Sequence, residues 1–363
     1  MGHGFDGGGR MEHIGAMAAA RPAALEPIRA AALVFALAAL GASGPAGATE
    51  IAVGGAVFQG WGTSTWGLDA SQQVDGVAGD VIAQSRLAWP LTGTDVGLDV
   101  TWQADGGRSG HWGGWVRAHV MVTDPIGRMV DEDWLTAKGL DVDKTMISYT
   151  ESKVQGGSFV GDAGFYLSLY PAGEIPALGE WDLHFGYRHE VLNLDAWGVD
   201  DGWQLGQNGA QVPVSLDPHT LAAEFDGHHL YPYVGVLYRV RAGKRFRCEV
   251  RGVGTGFVSI EKDDHVLRSK RMNSLGWGLG ALVGARPEWV FEKDRKTGKG
   301  ATVSVGLGLE VQYARTLTGT IEQEYYSDDP GFAGDQTQQE IPDSDYYAQV
   351  LRVAGGGFLK IIF

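Results

Sequence analysis

The chain has 363 residues, 44 acidic and 29 basic, for a formal net charge of −15, with 56 glycines, 12 tryptophans, 12 tyrosines and one cysteine. The acidic balance argues against a nucleic-acid partner, because phosphate backbones are bound by Lys and Arg. The lone Cys248 excludes an internal disulfide, and glycine at more than twice its usual ~7% share, with many aromatics, points to strands rather than helices.

At the amino end, Arg21 and Arg29 precede an apolar run from Ala31 to Leu40 and a small-residue stretch ending in Ala46-Gly47-Ala48. A basic region, a short apolar core and an Ala-x-Ala site predict a signal peptide over residues 1–48, with residues 1–16 reading as an upstream extension. The run is too short for a membrane-spanning helix, which needs about 20 apolar residues. The exported chain is expected to begin near Thr49.

From there the sequence alternates. Val96, Leu98, Val100 and Trp102 interleave with Asp95, Gly97, Asp99 and Thr101. Phe165, Leu167 and Leu169 alternate with Tyr166, Ser168 and Tyr170. Val234, Val236, Tyr238 and Val240 alternate with Gly235, Leu237, Arg239 and Arg241, and Val303 to Val311 repeats the pattern. A period of two with one apolar face predicts strands of a sandwich or a barrel. At the carboxyl end, Leu351, Val353, Gly355, Gly357, Leu359, Ile361 and Phe363 share one face. A terminal Phe closing an amphipathic strand resembles the recognition signal of bacterial outer-membrane barrels.

Short connections are expected at 104–110, 171–180, 242–244 and about 286–300. Long polar ones are expected at about 63–78, 124–145, 191–227, 262–271 and 319–345. Nine connections make an all-β, ten-stranded antiparallel transmembrane barrel over 49–363, with short periplasmic turns and long extracellular loops. Pro90 falls inside the second strand and predicts a bulge or an unpaired position.

Two clusters carry chemistry. Asp131-Glu132-Asp133-Trp134 and Asp263-Asp264-His265 are far apart in sequence. On an extended backbone, residues i and i+2 point to one face. Asp131 with Asp133, and Asp263 with His265, can therefore converge on one spot, leaving Glu132 and Asp264 on the other face. Carboxylates facing a carboxylate–imidazole pair can activate water without a metal. Both clusters follow odd-numbered strands, so both are expected at the same, extracellular rim.

Met129 to Trp134 resembles the first catalytic signature of the omptins, outer-membrane endopeptidases with ten-stranded barrels, and Asp263-Asp264-His265 resembles the second. Ser85-Arg86-Leu87-Ala88-Trp89 is similar to the family's Ser-x-Leu-Asp-Trp strand, with Ala88 in place of its aspartate. Pro232 to Gly235, Thr150-Glu151-Ser152 and the Leu359 to Phe363 ending follow in order. The resemblance implies that Asp131 and His265 hold the attacking water, with His265 as general base. It implies that Asp263 orients the imidazole and that Asp133 hydrogen-bonds Asp131. It also implies cleavage next to basic residues, with Glu261 as an acid of the substrate pocket, no cofactor, and lipopolysaccharide as an activating outer-membrane lipid. The family's second pocket acid has no counterpart among Gly62–Ala78, and Val191 and His228 stand where its lipid-binding arginines are sought.

Charge agrees in part. Residues 191–227 hold six acids, and 319–345 hold eight, with no Lys or Arg in either stretch. Walls of one sign would draw cationic peptides or exposed protein loops. Signals set aside include the Gly252-Val253-Gly254 and Gly278-Leu279-Gly280 runs, the pair His228-His229 and His219, which lacks metal-ligand spacing, and Ser152 as a nucleophile. Cys248 alternates with Phe246 and Val250 and is expected to face lipid. The expectation is a monomeric outer-membrane endopeptidase with an outward-facing site. The alternatives are a barrel of the same build serving as adhesin or surface receptor, and a small porin.

Overall fold

A computed structural model describes residues 48–73, 80–105, 111–137, 142–169, 179–206, 208–243, 245–266, 270–291, 302–325, 339–340 and 344–363. The leader expected over 1–48 (save Ala48), the basic residues Lys293, Arg295, Lys296 and Lys299, and the acids Asp328, Asp329, Asp335 and Asp343 lie outside the described residues.

The strands, in chain order, are β1 (Ala48–Gln73), β2 (Asp80–Pro90), β3 (Gly93–Asp105), β4 (His111–Met121), β5 (Arg128–Ala137), β6 (Val142–Ser168), β7 (Glu180–Leu205), β8 (Gln211–Pro213), β9 (Leu216–Ala242), β10 (Phe246–His265), β11 (Lys270–Phe291), β12 (Thr302–Tyr325), β13 (Gln339–Glu340) and β14 (Ser344–Ile362). All pairs are antiparallel, and β14 pairs with both β12 and β1, which closes the sheet into a ring without a free edge. β2 and β3 both pair with β1, and β4 and β5 both pair with β6, so each couple is one interrupted stave. With the short β8 and β13 set apart, the described segments form ten long staves.

The barrel is inverted relative to a soluble protein. On β12, Val303, Val305, Leu307, Leu309, Val311 and Tyr313 are exposed, whereas Ser304 and Gln312 are buried. In water each exposed side chain would forfeit roughly 25 cal/mol per Å² of apolar surface; a lipid exterior removes that cost. Ten steps from Val303 to Tyr313 span about 33 Å, and a tilt of about 40° brings this near the ~25 Å apolar band of membrane barrels. Exposed Trp112, Trp181, Trp289 and Phe363 lie toward the end near the chain termini, and Trp61 and Trp277 toward the other side. Tryptophan and tyrosine favour these interfacial levels, where one end of the ring is apolar and the other wet.

Inside, charges pair across the lumen. Arg352 joins Asp95 at 2.5 Å and Glu190 at 2.6 Å, Arg286 joins Asp99 at 2.8 Å, and Lys360 joins Glu288 at 3.2 Å. Glu310 bridges Arg188 and Arg251, and Arg251 also reaches Asp162 at 3.2 Å. A cavity of about 160 Å³ lies within this charged half, which is the half nearer the chain termini. Toward the opposite end the lumen is filled by a buried cluster that includes Trp66, Leu87, Trp89, Met129, Phe225, Tyr231, Phe257, Met272 and Ile321.

Five expected boundaries are corrected. Much of 63–78, 124–145, 191–227 and 319–345 is strand, because β1 runs to Gln73, β5 spans Arg128–Ala137, β6 starts at Val142, β7 runs to Leu205, β9 starts at Leu216 and β12 runs to Tyr325. The turn expected near 286–300 starts only after β11 ends at Phe291. Beyond the apolar belt the outer face meets water, so strands continue with polar residues outside, and the polarity read as loop. Pro90 does not bulge a continuous strand; it ends β2. The break at Leu91–Thr92 faces a matching break at Val122–Gly127, bridged by hydrogen bonds from Val122 N to Thr94 O (2.8 Å) and Ile126 N to Thr92 O (2.7 Å). Gly127 has a φ of +131°, and a Cβ there would lie 3.0 Å from the Pro90 ring. Across this paired interruption β5 continues the stave of β4, lying between β2 and β6 as β4 lies between β3 and β6.

Candidate active site at the rim away from the termini

Both acidic clusters lie at one end of the ring. The β1/β2, β5/β6, β7/β9, β10/β11 and β12/β14 connections are at that end; the β3/β4, β6/β7, β9/β10 and β11/β12 connections and both chain termini are at the other. Going round the ring from β5, four steps through β6, β7 and β9 reach β10, so the clusters face each other across the mouth.

Asp131 is fixed by backbone pairing on both sides, to Leu87 of β2 and Thr150 of β6. Its side chain is buried, 7% exposed, on the inward parity with Met129. Asp133 has the same parity and accepts a hydrogen bond from the Ser148 hydroxyl at 2.8 Å. The register of β5 against β6 slips between Asp133 and Trp134, a bulge of the kind that re-aims side chains beside sites. The donor to Asp133 is Ser148, a residue that the sequence did not single out. Its signal was parity: Ser148 lies opposite Asp133 on the neighbouring strand.

On β10, Asp263 and His265 end the strand and are both buried. His265 Nε2 and Asp263 Oδ2 are 2.6 Å apart. The contact is close without being a well-aligned hydrogen bond, and it becomes an ion pair when the imidazole is protonated. The pair lies beyond Ile260, the last strongly exposed apolar residue of β10, and so outside the membrane-spanning part. Burial by itself would lower the His265 pKa. The Asp263 carboxylate beside it, and then Asp131 across the mouth, outweigh burial and the opposing Lys270, and hold it above the usual 6.5.

Glu132 and Asp264 face outward, as parity requires, and pair with Arg86 at 3.3 Å and Arg271 at 3.1 Å. Ser152 is buried and donates its hydroxyl to the Gly198 carbonyl at 2.6 Å. The acidic wall expected from 191–227 is partly reversed. Asp195, Glu224 and Asp226 alternate with the core residues Leu194, Ala223 and Phe225, so they lie on the outer surface. Asp200 is paired with Arg128. Among the described residues, no group of three or more His, Cys, Asp or Glu could hold a metal ion.

Glu261 sits two residues before Asp263 on the same inward face and is 3% exposed. It is not open to solvent: His229 Nε2 lies 2.8 Å from one carboxylate oxygen, and the Tyr346 hydroxyl donates to the other at 2.7 Å. Sequence reasoning set His229 aside because it sought metal spacing. The signal available was again parity, since His229 shares its inward face with Tyr231 and Tyr233.

No family model matches the sequence, and no curated protein matches it. Among solved structures, outer membrane protease OmpT from Escherichia coli superposes with a TM-score of 0.64 at 14% identity, covering 87% of this chain and 97% of that one. The β domain of the Bordetella autotransporter BrkA aligns at a TM-score of only 0.22 and 10% identity. The chain thus has the fold of an omptin-type transmembrane β-barrel.

Proposed function

We propose that this barrel is an outer-membrane endopeptidase whose site opens to the cell exterior and whose nucleophile is water. The observation that carries the reading is that Asp131 and the Asp263–His265 pair lie at one rim of the ring, on segments more than 100 positions apart. Barrel stability asks for none of these three groups, and burying charges without function is costly.

In the proposed reaction, water sits between Asp131 and neutral His265. His265 takes its proton as oxygen attacks the peptide carbonyl, and Asp263 stabilises the imidazolium that forms. The imidazolium then returns the proton to the leaving amine. Asp133, anchored by Ser148, adds negative potential that favours the cation. No covalent acyl-enzyme forms, because no side chain attacks. The fold shared with OmpT supports the reading as an analogy of scaffold, with function argued from the site.

The test is to incubate the refolded protein with a mixed peptide library and read cut sites by mass spectrometry. Discrete internal cleavages, lost in His265→Ala, are the expected result. An uncut library at neutral pH, from a barrel shown to be folded, contradicts the proposal and favours a binding role for the same scaffold.

A further inference from the structure

The cavity of about 160 Å³ in the half of the lumen nearer the chain termini is separate from the rim site. Its lining runs out to Glu50, Arg241 and Arg247, near the ends of β1, β9 and β10. Arg241 is exposed there and Arg247 is half-buried, so the cavity is reached from the end of the barrel that carries the termini. Nine Lys or Arg and six Asp or Glu line it. Asp99, Asp182 and Glu190 are buried behind that lining and hold Arg286, Arg239 and Arg352 from outside.

A guanidinium carries five N–H donors in a fixed fork, and burying it without acceptors is costly. Arg117 is in that position. Its Nε lies 3.7 Å from Asp99 and its Nη1 3.8 Å from Asp162, beyond hydrogen-bonding distance, and Nε has no other partner. Both acids are already taken. Asp99 is met by Arg286 at 2.8 Å and His119 at 3.3 Å, and Asp162 by Arg251 at 3.2 Å and the Trp115 indole at 3.0 Å. Arg251 and Arg188 share Glu310. Among the described residues, the four guanidinium groups of Arg117, Arg188, Arg251 and Arg286 thus pair with only three carboxylates, those of Asp99, Asp162 and Glu310. Arg188 Nε and Arg286 Nη1 are buried without an acceptor as well. Donors in such excess around one cavity suit a tetrahedral oxyanion, which accepts from several guanidinium groups at once.

We propose that this cavity binds a small oxyanion of the phosphate or sulfate class, with Arg117 as its main anchor and Arg251 and Arg286 flanking it. The ligand is a free ion rather than a lipid headgroup, because the sheet walls the lumen off from lipid. The site does not depend on the endopeptidase reading.

The probe is inorganic phosphate, set against chloride of equal ionic strength, and the readout is the midpoint temperature of heat-modifiable migration. An ion that binds only the folded barrel raises that midpoint. Wild-type protein is expected to gain about 3 °C or more, saturating as phosphate is raised, and Arg117→Gln to lose the gain. In chloride alone Arg117→Gln is expected to melt no lower than wild type, because Asp99 keeps Arg286 and Asp162 keeps Arg251. That sign separates a ligand anchor from a structural cation, whose loss destabilises. Phosphate also stabilises proteins generally, by exclusion from their surfaces, so an equal gain in wild type and Arg117→Gln overturns the proposal. A wild-type midpoint unmoved by phosphate overturns it too, as does an Arg117→Gln chain that melts lower in chloride or fails to fold.

Discussion

Asp131→Ala, Asp263→Ala and His265→Ala are each expected to lower peptide hydrolysis by about a thousandfold or more, with the barrel still folded. The loss is large because each removes a different part of one proton transfer. Without His265 nothing accepts the proton of water. Without Asp263 the imidazole loses the partner 2.6 Å away that fixes its orientation and stabilises its cation. Without Asp131 water loses its second anchor. The fold survives because these residues are held by backbone ladders, Asp131 to Leu87 and Thr150, and Asp263 to Met272 and Phe225, which do not depend on side chains. Asp133→Ala should cost less, since Asp133 is anchored on Ser148. Steady-state rates, with heat-modifiable migration as the folding check, decide the matter; wild-type hydrolysis by all three Ala variants would remove the mechanism.

Activity is expected to fall on the acid side at a pH above the ordinary histidine value of about 6.5. The base works only when neutral, and Asp263 and Asp131 favour its charged form. Rate therefore rises with pH through the raised His265 pKa. Stability moves in the opposite sense. A histidine whose folded pKa exceeds its unfolded value contributes stability fully below the unfolded value, and that contribution is lost as pH rises through the folded one. The conditions that activate the site thus relax the rim. Asp263→Asn should shift the acid limb to lower pH as well as reduce the maximum, because it removes the largest charge that raises the pKa. A kcat/KM profile that is flat down to about pH 4 would exclude His265 as the base.

The fold was legible where the two faces of a strand differ strongly. β12 and β14 could be read residue by residue, because lipid outside and packed charges or aromatics inside impose opposite demands. It was illegible beyond the apolar belt, where both faces tolerate polar residues; Asp195, Glu224 and Asp226 read as loop and turned out to be the wet side of β7 and β9. The catalytic candidates were visible because i, i+2 spacing fixes a shared face. Ser148 and Tyr346 were not singled out, and His229 was set aside, because their contacts come from which strand lies beside which. Register, not local sequence, brings Ser148 to Asp133. Likewise a tyrosine on β14 meets a glutamate on β10 only because the barrel closes.

One comparison reaches the central claim most directly: the hydrolysis rates of Asp131→Ala, His265→Ala and the double variant carrying both. If the two side chains act on a single water molecule, removing the second after the first costs little more, and all three variants share a similar residual rate. Losses that multiply, with the double variant slower by the product of the two single effects, would mean the two side chains act independently, and the shared-water account would be wrong.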